Sequence, residues 1–216
     1  MVRGPCRTSV SSRCADGCRT LKVVGALLKR NTLATSTPSI PEVCRVSSSS
    51  VHRHFVLREA RAADLEAILA LNCEWERVTS PLTLDALSRL HSLAAVHLVA
   101  VEGDSVLGFL LAIGPAIDYD SPNYRWFDDA GDDFLYIDRA VVSSAVQRSG
   151  VGAALYAEVF DCARQRGVSR VVCEVDIEPL NAASDAFHRR RGFVEVGTQS
   201  VAAGSKVVSL RECALR

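Results

Sequence analysis

The stretch Gln147-Arg148-Ser149-Gly150-Val151-Gly152-Ala153-Ala154 limits what this chain can fold into more than any other part of it. It follows an apolar run at residues 134–142, rich in β-branched and aromatic residues, and it opens a segment, residues 150–166, whose apolar positions recur at helical spacing. Small residues in succession let backbone N–H groups approach a ligand. The N-terminus of the helix that follows adds roughly half a positive charge. Strand, small-residue turn and helix in that order suit a pyrophosphate. The competing reading is a tight turn that needs glycine for its backbone angles alone. On either reading, residues 169–176 form the next strand. They lie parallel to the first, because a strand–helix–strand crossover within one sheet is parallel and right-handed.

The rest of the chain is built around this unit. Residues 55–60 read as a strand, residues 63–76 and 83–93 as helices, and residues 96–101 and 106–113 as a hairpin through Glu102-Gly103-Asp104. Residues 181–191 form a helix stopped by Gly192, and residues 193–200 and 206–212 a hairpin around Ala203-Gly204. The loop at residues 114–133 is long for a compact domain. It combines Asp118, Asp120, Asp128, Asp129, Asp132 and Asp133 with Tyr119, Tyr124, Trp126 and Phe127. Its aromatics favour an ordered loop.

Residues 1–50 have a different composition: Arg, Ser and Thr dominate, Asp16 and Glu42 are the acids, and the stretch closes on Ser47-Ser48-Ser49-Ser50. They read as a disordered tail, either a transit-like targeting peptide, the result of a start placed too far upstream, or a basic arm. Residues 51–216 are read as one folded domain, since 216 residues with 48% hydrophobic content supply one sizeable core. Lys+Arg and Asp+Glu both number 25, so no overall basic field argues for nucleic acid. No apolar run approaches the roughly 20 residues that span a bilayer. The eight cysteines are scattered, and Cys73, Cys162 and Cys173 fall in helix or strand segments, as free and mostly buried thiols would. Cys6, Cys14, Cys18 and Cys44 lack C-x-x-C spacing and a nearby His, so no metal is expected.

A dinucleotide site is the first rival, because Asp176 ends the following strand about 24 residues after Gly152, where a ribose-binding acid would sit. Against it, Leu155 occupies the position where that fingerprint requires Gly or Ala. The order of elements and the Gln147-Arg148-x-Gly150-x-Gly152 loop instead resemble the GNAT acyltransferase superfamily, whose loop is [QR]-x-x-G-x-[GA]. A second family segment is matched by Asn181, Ser184, His188 and Gly192-Phe193. The resemblance spans residues 54–214. It implies an α/β (α+β sandwich) fold: a mixed, mostly antiparallel central sheet of about seven strands with a splayed central parallel pair, flanked by about four helices.

The same resemblance implies acetyl-CoA as acyl donor. Its pantetheine arm would pair with backbone near Val141 and Val142, and its pyrophosphate would be held by the segment Gln147, Arg148, Ser149, Gly150, Val151, Gly152 and Ala153, with Asn181 also on the cofactor. The Val142 amide would be the donor to the thioester oxygen. The family's acid is often a Tyr, and His188 stands at that position, where imidazolium would donate to the leaving thiolate. The family's base position is Tyr136, with Asp138 two residues on and thus on the same face; Glu174 and Asp176 are further candidates. Asp118 or Asp120 would pair a cationic amine that Tyr124 or Trp126 walls in; the bland alternative is a solvated acidic turn.

The expected activity is therefore N-acetyl transfer to a small-molecule or peptide amine by direct attack in a ternary complex. A non-catalytic acyl-CoA-binding module is the alternative. A cytoplasmic location is expected, or an organellar one if the tail is a transit peptide, and a homodimer is compatible with the chain. Neither nucleic acid nor membrane is an expected partner.

Overall fold

A computed structural model describes residues 55–131 and 133–215. The expectations for residues 1–50 lie outside the described residues. Seven strands form one sheet: β1 (Val56–Glu59), β2 (Val96–Glu102), β3 (Ser105–Ile113), β4 (Leu135–Val142), β5 (Arg170–Glu178), β6 (Val194–Val201) and β7 (Lys206–Ala214). Their order is β1-β2-β3-β4-β5-β7-β6, antiparallel throughout except for the parallel β4–β5 pair. Among the described residues, five α-helices flank it: α1 (Leu65–Glu74), α2 (Leu84–Leu93), α3 (Pro122–Asp128), α4 (Val151–Gln165) and α5 (Ala182–Arg189).

The additional helix, α3, lies inside the stretch expected to be loop. Ser121 caps it by accepting the Tyr124 N–H, and Pro122 occupies the first turn, where a missing N–H costs nothing. Capping also decides where α2 begins, because Thr83 Oγ1 accepts from the Ala86 N–H. Gly167, at φ +73, ends α4, and the Val168 N–H reaches back to the Ala163 carbonyl. β7 lies between β5 and β6, so the terminal hairpin inserts its second strand against the crossover.

The sheet separates two apolar layers. On one face Val151, Leu155, Val159, Cys162 and Ala163 of α4 pack on Leu98, Leu110, Leu135 and Val171, with Phe187 and Phe193 beside them. On the other face α1 and α2 bury Ile68, Leu71 and Leu87 against Val99, Phe109 and Val141, while α3 contributes Tyr124 and Phe127 to a cluster with Phe134 and Tyr136. Each fully buried side chain of this size stabilises the fold by roughly 1.5–3 kcal/mol. Cys73, Cys173 and Cys213 are free thiols, and Cys73, expected to be buried, is exposed on α1.

Candidate active site

The cleft begins with one surplus residue. Leu111 of β3 lies opposite Arg139 and Ala112 opposite Ile137, so Asp138 is a β-bulge in β4. The ladder from β4 to β5 is two pairs long, Leu135 with Val171 and Tyr136 with Val172, and the strands diverge beyond the bulge. Ser143 N–H donates to the Leu107 carbonyl at 2.8 Å. By the alternation of antiparallel ladders, the N–H and C=O of Val141 then turn toward β3, and those of Val142, opposite Gly108, turn into the gap. The polar backbone groups of Val142 are thus the ones that face the gap, while those of Val141 serve β3 and its side chain is buried.

The gap runs into the N-terminus of α4. Arg148 (φ +64) and Gly150 (φ +96) turn the chain there, and a side chain at Gly150 would meet nothing within 4 Å. The open space on Gly150 and the uncapped first N–H groups of a 15-residue helix suit a diphosphate. Gln147, Arg148, Ser149 and Ala153 are exposed around this cradle, whereas Val151 sends its side chain into the core. The Ser149 N–H is turned back to the Val146 carbonyl at 3.2 Å and points away from the cradle. Gly152 lies beside Phe187. Asn181 uses its side-chain oxygen to cap α5, accepting from Ser184 N–H at 3.1 Å. An open strand edge leading to this cradle fits the extended amide arm and pyrophosphate of a coenzyme A.

Two carboxylates flank the mouth of the gap, Asp138 on β4 and Glu174 on β5. Tyr136, fully buried, donates its hydroxyl to Glu174 Oε2 at 2.8 Å. Burial, with the Asp138 charge added to it, pushes the Glu174 carboxyl up to about 7, and the bonds from Tyr136 and Asn123 hold it back from going higher. Asp138 accepts the Tyr119 hydroxyl on one oxygen and Arg139 Nε on the other, at 2.6 Å. Neighbours on a regular strand face opposite ways, and the bulge is what lets Asp138 and Arg139 meet. Asp176, a further candidate base, is instead paired with Lys206 at 3.0 Å.

His188 does not stand in the gap as a cation. It is buried against Phe187, Phe193 and Tyr156. Nδ1 donates to the Ser184 carbonyl at 2.8 Å, so Nε2 accepts from the Tyr156 hydroxyl at 2.8 Å. Burial drives this imidazole down to about 4, so the imidazolium donor implied by the resemblance is absent at neutral pH.

The acceptor-side expectations divide in the same way. Tyr124 is a core residue and not a pocket wall: its hydroxyl donates to the Gly114 carbonyl and accepts from Ile117 N–H, both at 2.9 Å, pinning the loop to α3. Trp126 covers Gly197 on β6. Asp118 and Asp120 are exposed, and Asp120 pairs with Arg125 at 2.9 Å. Tyr119 is the loop residue that reaches the carboxylates. Arg139, Asn72 and Asn123, which also belong to this site, had no signal in the sequence, because the bulge and the α1 contact that bring them there are long-range.

A splayed parallel pair, opened by a bulge and aimed at a glycine-turned helix N-terminus, defines the acetyltransferase class of mixed α/β proteins. The chain belongs to the GNAT acetyltransferase family, whose profile matches residues 59–193. The family uses acetyl-CoA. No curated protein matches the chain. Among solved structures it is similar to Ard1 from Thermoplasma volcanium, with a TM-score of 0.61 and 19% identity over 75% of this chain and 98% of that one. It is also similar to a ribosomal-protein-alanine N-acetyltransferase from Brucella melitensis, with a TM-score of 0.57 and 25% identity over 74% of this chain and 99% of that one. For yncA from Salmonella typhimurium, solved with its cofactor acetyl-CoA, the TM-score is 0.58 and the identity 21%, over 75% and 94% of the two chains.

Proposed function

We propose that this chain transfers acetyl from acetyl-CoA to the primary amine of a small molecule or peptide, by direct attack in a ternary complex, with Glu174 as general base. The observation that carries the reading is the Glu174 carboxylate, held at the mouth of the β4–β5 gap by the Tyr136 hydroxyl at 2.8 Å, where burial raises its affinity for a proton. An amine arrives mostly as ammonium and must be neutral to attack, so the step needs an acceptor whose affinity for a proton is matched to the working pH. Tyr136, at the family's base position, serves as the donor that orients Glu174. Asp138 supplies a fixed negative charge beside it.

The thioester of acetyl-CoA supplies the activated acetyl group. The chain contributes the Val142 N–H, turned into the gap, as donor to the carbonyl oxygen while negative charge builds there. The first turn of α4 anchors the pyrophosphate. His188, neutral and bonded at both nitrogens, fixes Tyr156 and the packing of α5 on α4. The name of the Brucella melitensis relative makes a peptide α-amine one acceptor to include.

The test is release of CoA from acetyl-CoA, followed with a thiol reagent, against a panel of polyamines, amino acids and peptides with N-terminal alanine. Release with one amine class, reduced about 10²–10⁴-fold by Glu174→Gln, is the expected result. Thermal stabilisation by acetyl-CoA without release from any amine would point to the acyl-CoA-binding module instead.

A further inference from the structure

The bulge brings a cation into the base site. Arg139 lies in β4 with its guanidinium buried; Nε bonds Asp138 Oδ2 at 2.6 Å and Nη1 bonds Asn72 Oδ1 at 3.1 Å. Asn72, fully buried near the end of α1, passes the connection on by donating Nδ2 to the Ser80 carbonyl at 3.2 Å, in the link between α1 and α2. The second oxygen of Asp138 holds Tyr119 from the β3–β4 loop. One guanidinium therefore ties together β4, α1 and the α1–α2 link, and through Asp138 it reaches the loop over the cleft.

We propose that Arg139 is a positioning residue, which fixes the Asp138 carboxylate and offsets its charge, and so sets how readily Glu174 releases its proton. This rests on Glu174 being the base, but it is tested separately below. The physical argument concerns three charges in a site sheltered from water. Glu174 and Asp138 repel, and losing the last proton from the pair is opposed by that repulsion. A guanidinium bonded to one of them opposes the repulsion and keeps Glu174 able to ionise near neutral pH.

The other titratable groups packed around these three do not compete. Burial keeps the hydroxyls of Tyr119 and Tyr136 protonated, as it does Tyr156 on α4 and the thiol of Cys173 on β5. His97 on β2, which feels Arg139 across the sheet, is held down to about 3 by burial and is uncharged. Asn123 on α3 bonds Glu174 without charge. Asp176, two residues along β5 from Glu174, is paired with Lys206 of β7 at 3.0 Å, so its charge is offset and the charges left beside Glu174 are those of Asp138 and Arg139.

The experiment is a carboxyl-carbon NMR titration of the full chain labelled at glutamate, with the Glu174 signal identified by its loss in Glu174→Gln. Arg139→Gln should move the Glu174 midpoint up by about one pH unit or more, and Asp138→Asn should move it down by a similar amount. Arg139→Lys, which keeps the charge and loses the planar fork, should stay within about half a unit of wild type. A role for Arg139 in packing alone would lower stability and leave the midpoint in place. An unmoved midpoint in folded Arg139→Gln overturns the proposal. Should that variant fail to fold, an unmoved midpoint in Asp138→Asn overturns it equally. Glu174 as base fails on a different measurement, undiminished CoA release by Glu174→Gln, so the two failures are distinguishable.

Discussion

Glu174→Gln should make the protein slower and more stable at once, and the stability gain should depend on pH. The Glu174 carboxyl rises from an ordinary 4.5 to about 7 in the folded chain. Between those values the folded state keeps a proton that the unfolded state has released, so stability falls as pH rises, by about 1.4 kcal/mol per pH unit. The loss is complete above pH 7, at roughly 3 kcal/mol. A glutamine never ionises, and its oxygen can still accept from the Tyr136 hydroxyl. The variant should therefore match wild type near pH 4.5 and exceed it by up to roughly 3 kcal/mol at pH 7.5, or about 6–12 °C in Tm for a domain of this size. Urea melts followed by circular dichroism from pH 4.5 to 8 give the difference directly. A difference that stays flat with pH refutes the claim that burial has raised this carboxyl, and with it the electrostatic basis for choosing Glu174.

Three further outcomes are expected. Gly150→Val places a β-branched residue at φ +96 with open space around it, so it should cost about 1–3 kcal/mol in strain and abolish the Tm rise on adding acetyl-CoA, while far-UV circular dichroism stays native. Gly197→Val drives a Cβ to within 2.9 Å of the Trp126 ring and should destabilise by about 1–3 kcal/mol in urea melts, with a changed tryptophan emission. Tyr124→Phe leaves the Ile117 N–H and Gly114 carbonyl without their hydroxyl partner, and should cost about 1–3 kcal/mol and raise hydrogen exchange in residues 114–121 above that of β4.

What the sequence made legible follows the range of the interactions involved. The β2–β3 hairpin, the α4 crossover and the glycine turn into α4 depend on local rules, namely apolar period, turn residues and helix caps, and they lie where those rules put them. The insertion of β7 between β5 and β6 depends on pairing across 29 to 44 residues, which no local pattern records. The same holds at the site. Gly150 could be read from its neighbours. The partnership of Arg139 with Asp138 could not, because a strict two-residue strand period sends adjacent side chains to opposite faces, and the bulge that breaks the period is defined by register against β3. Ser121-Pro122 was a readable helix start, but the acidic and aromatic residues around it suggest a loop, and α3 is too short for periodicity to overrule them. His188 could be aligned with a family position, yet its neutrality follows from burial under Phe187, Phe193 and Tyr156, and Tyr156, which holds Nε2, lies 32 residues away in the chain.

The surplus residue in β4 also acts as a phase shift. Downstream of Asp138 every amide and every side chain has changed parity relative to the upstream half of the strand. If Asp138 were deleted, Ile137 would still lie opposite Ala112 and Arg139 opposite Leu111, so the ladder downstream, with Val142 opposite Gly108, would keep its register. The Val142 N–H would go on facing the gap at the same distance from the start of α4. What the deletion removes is the carboxylate that joins Tyr119 to Arg139, together with the local kink at which β4 parts from β5. The surplus residue is thus a spacer set sideways: it adds nothing to the length of the strand and serves the width and the charge of the cleft beside it.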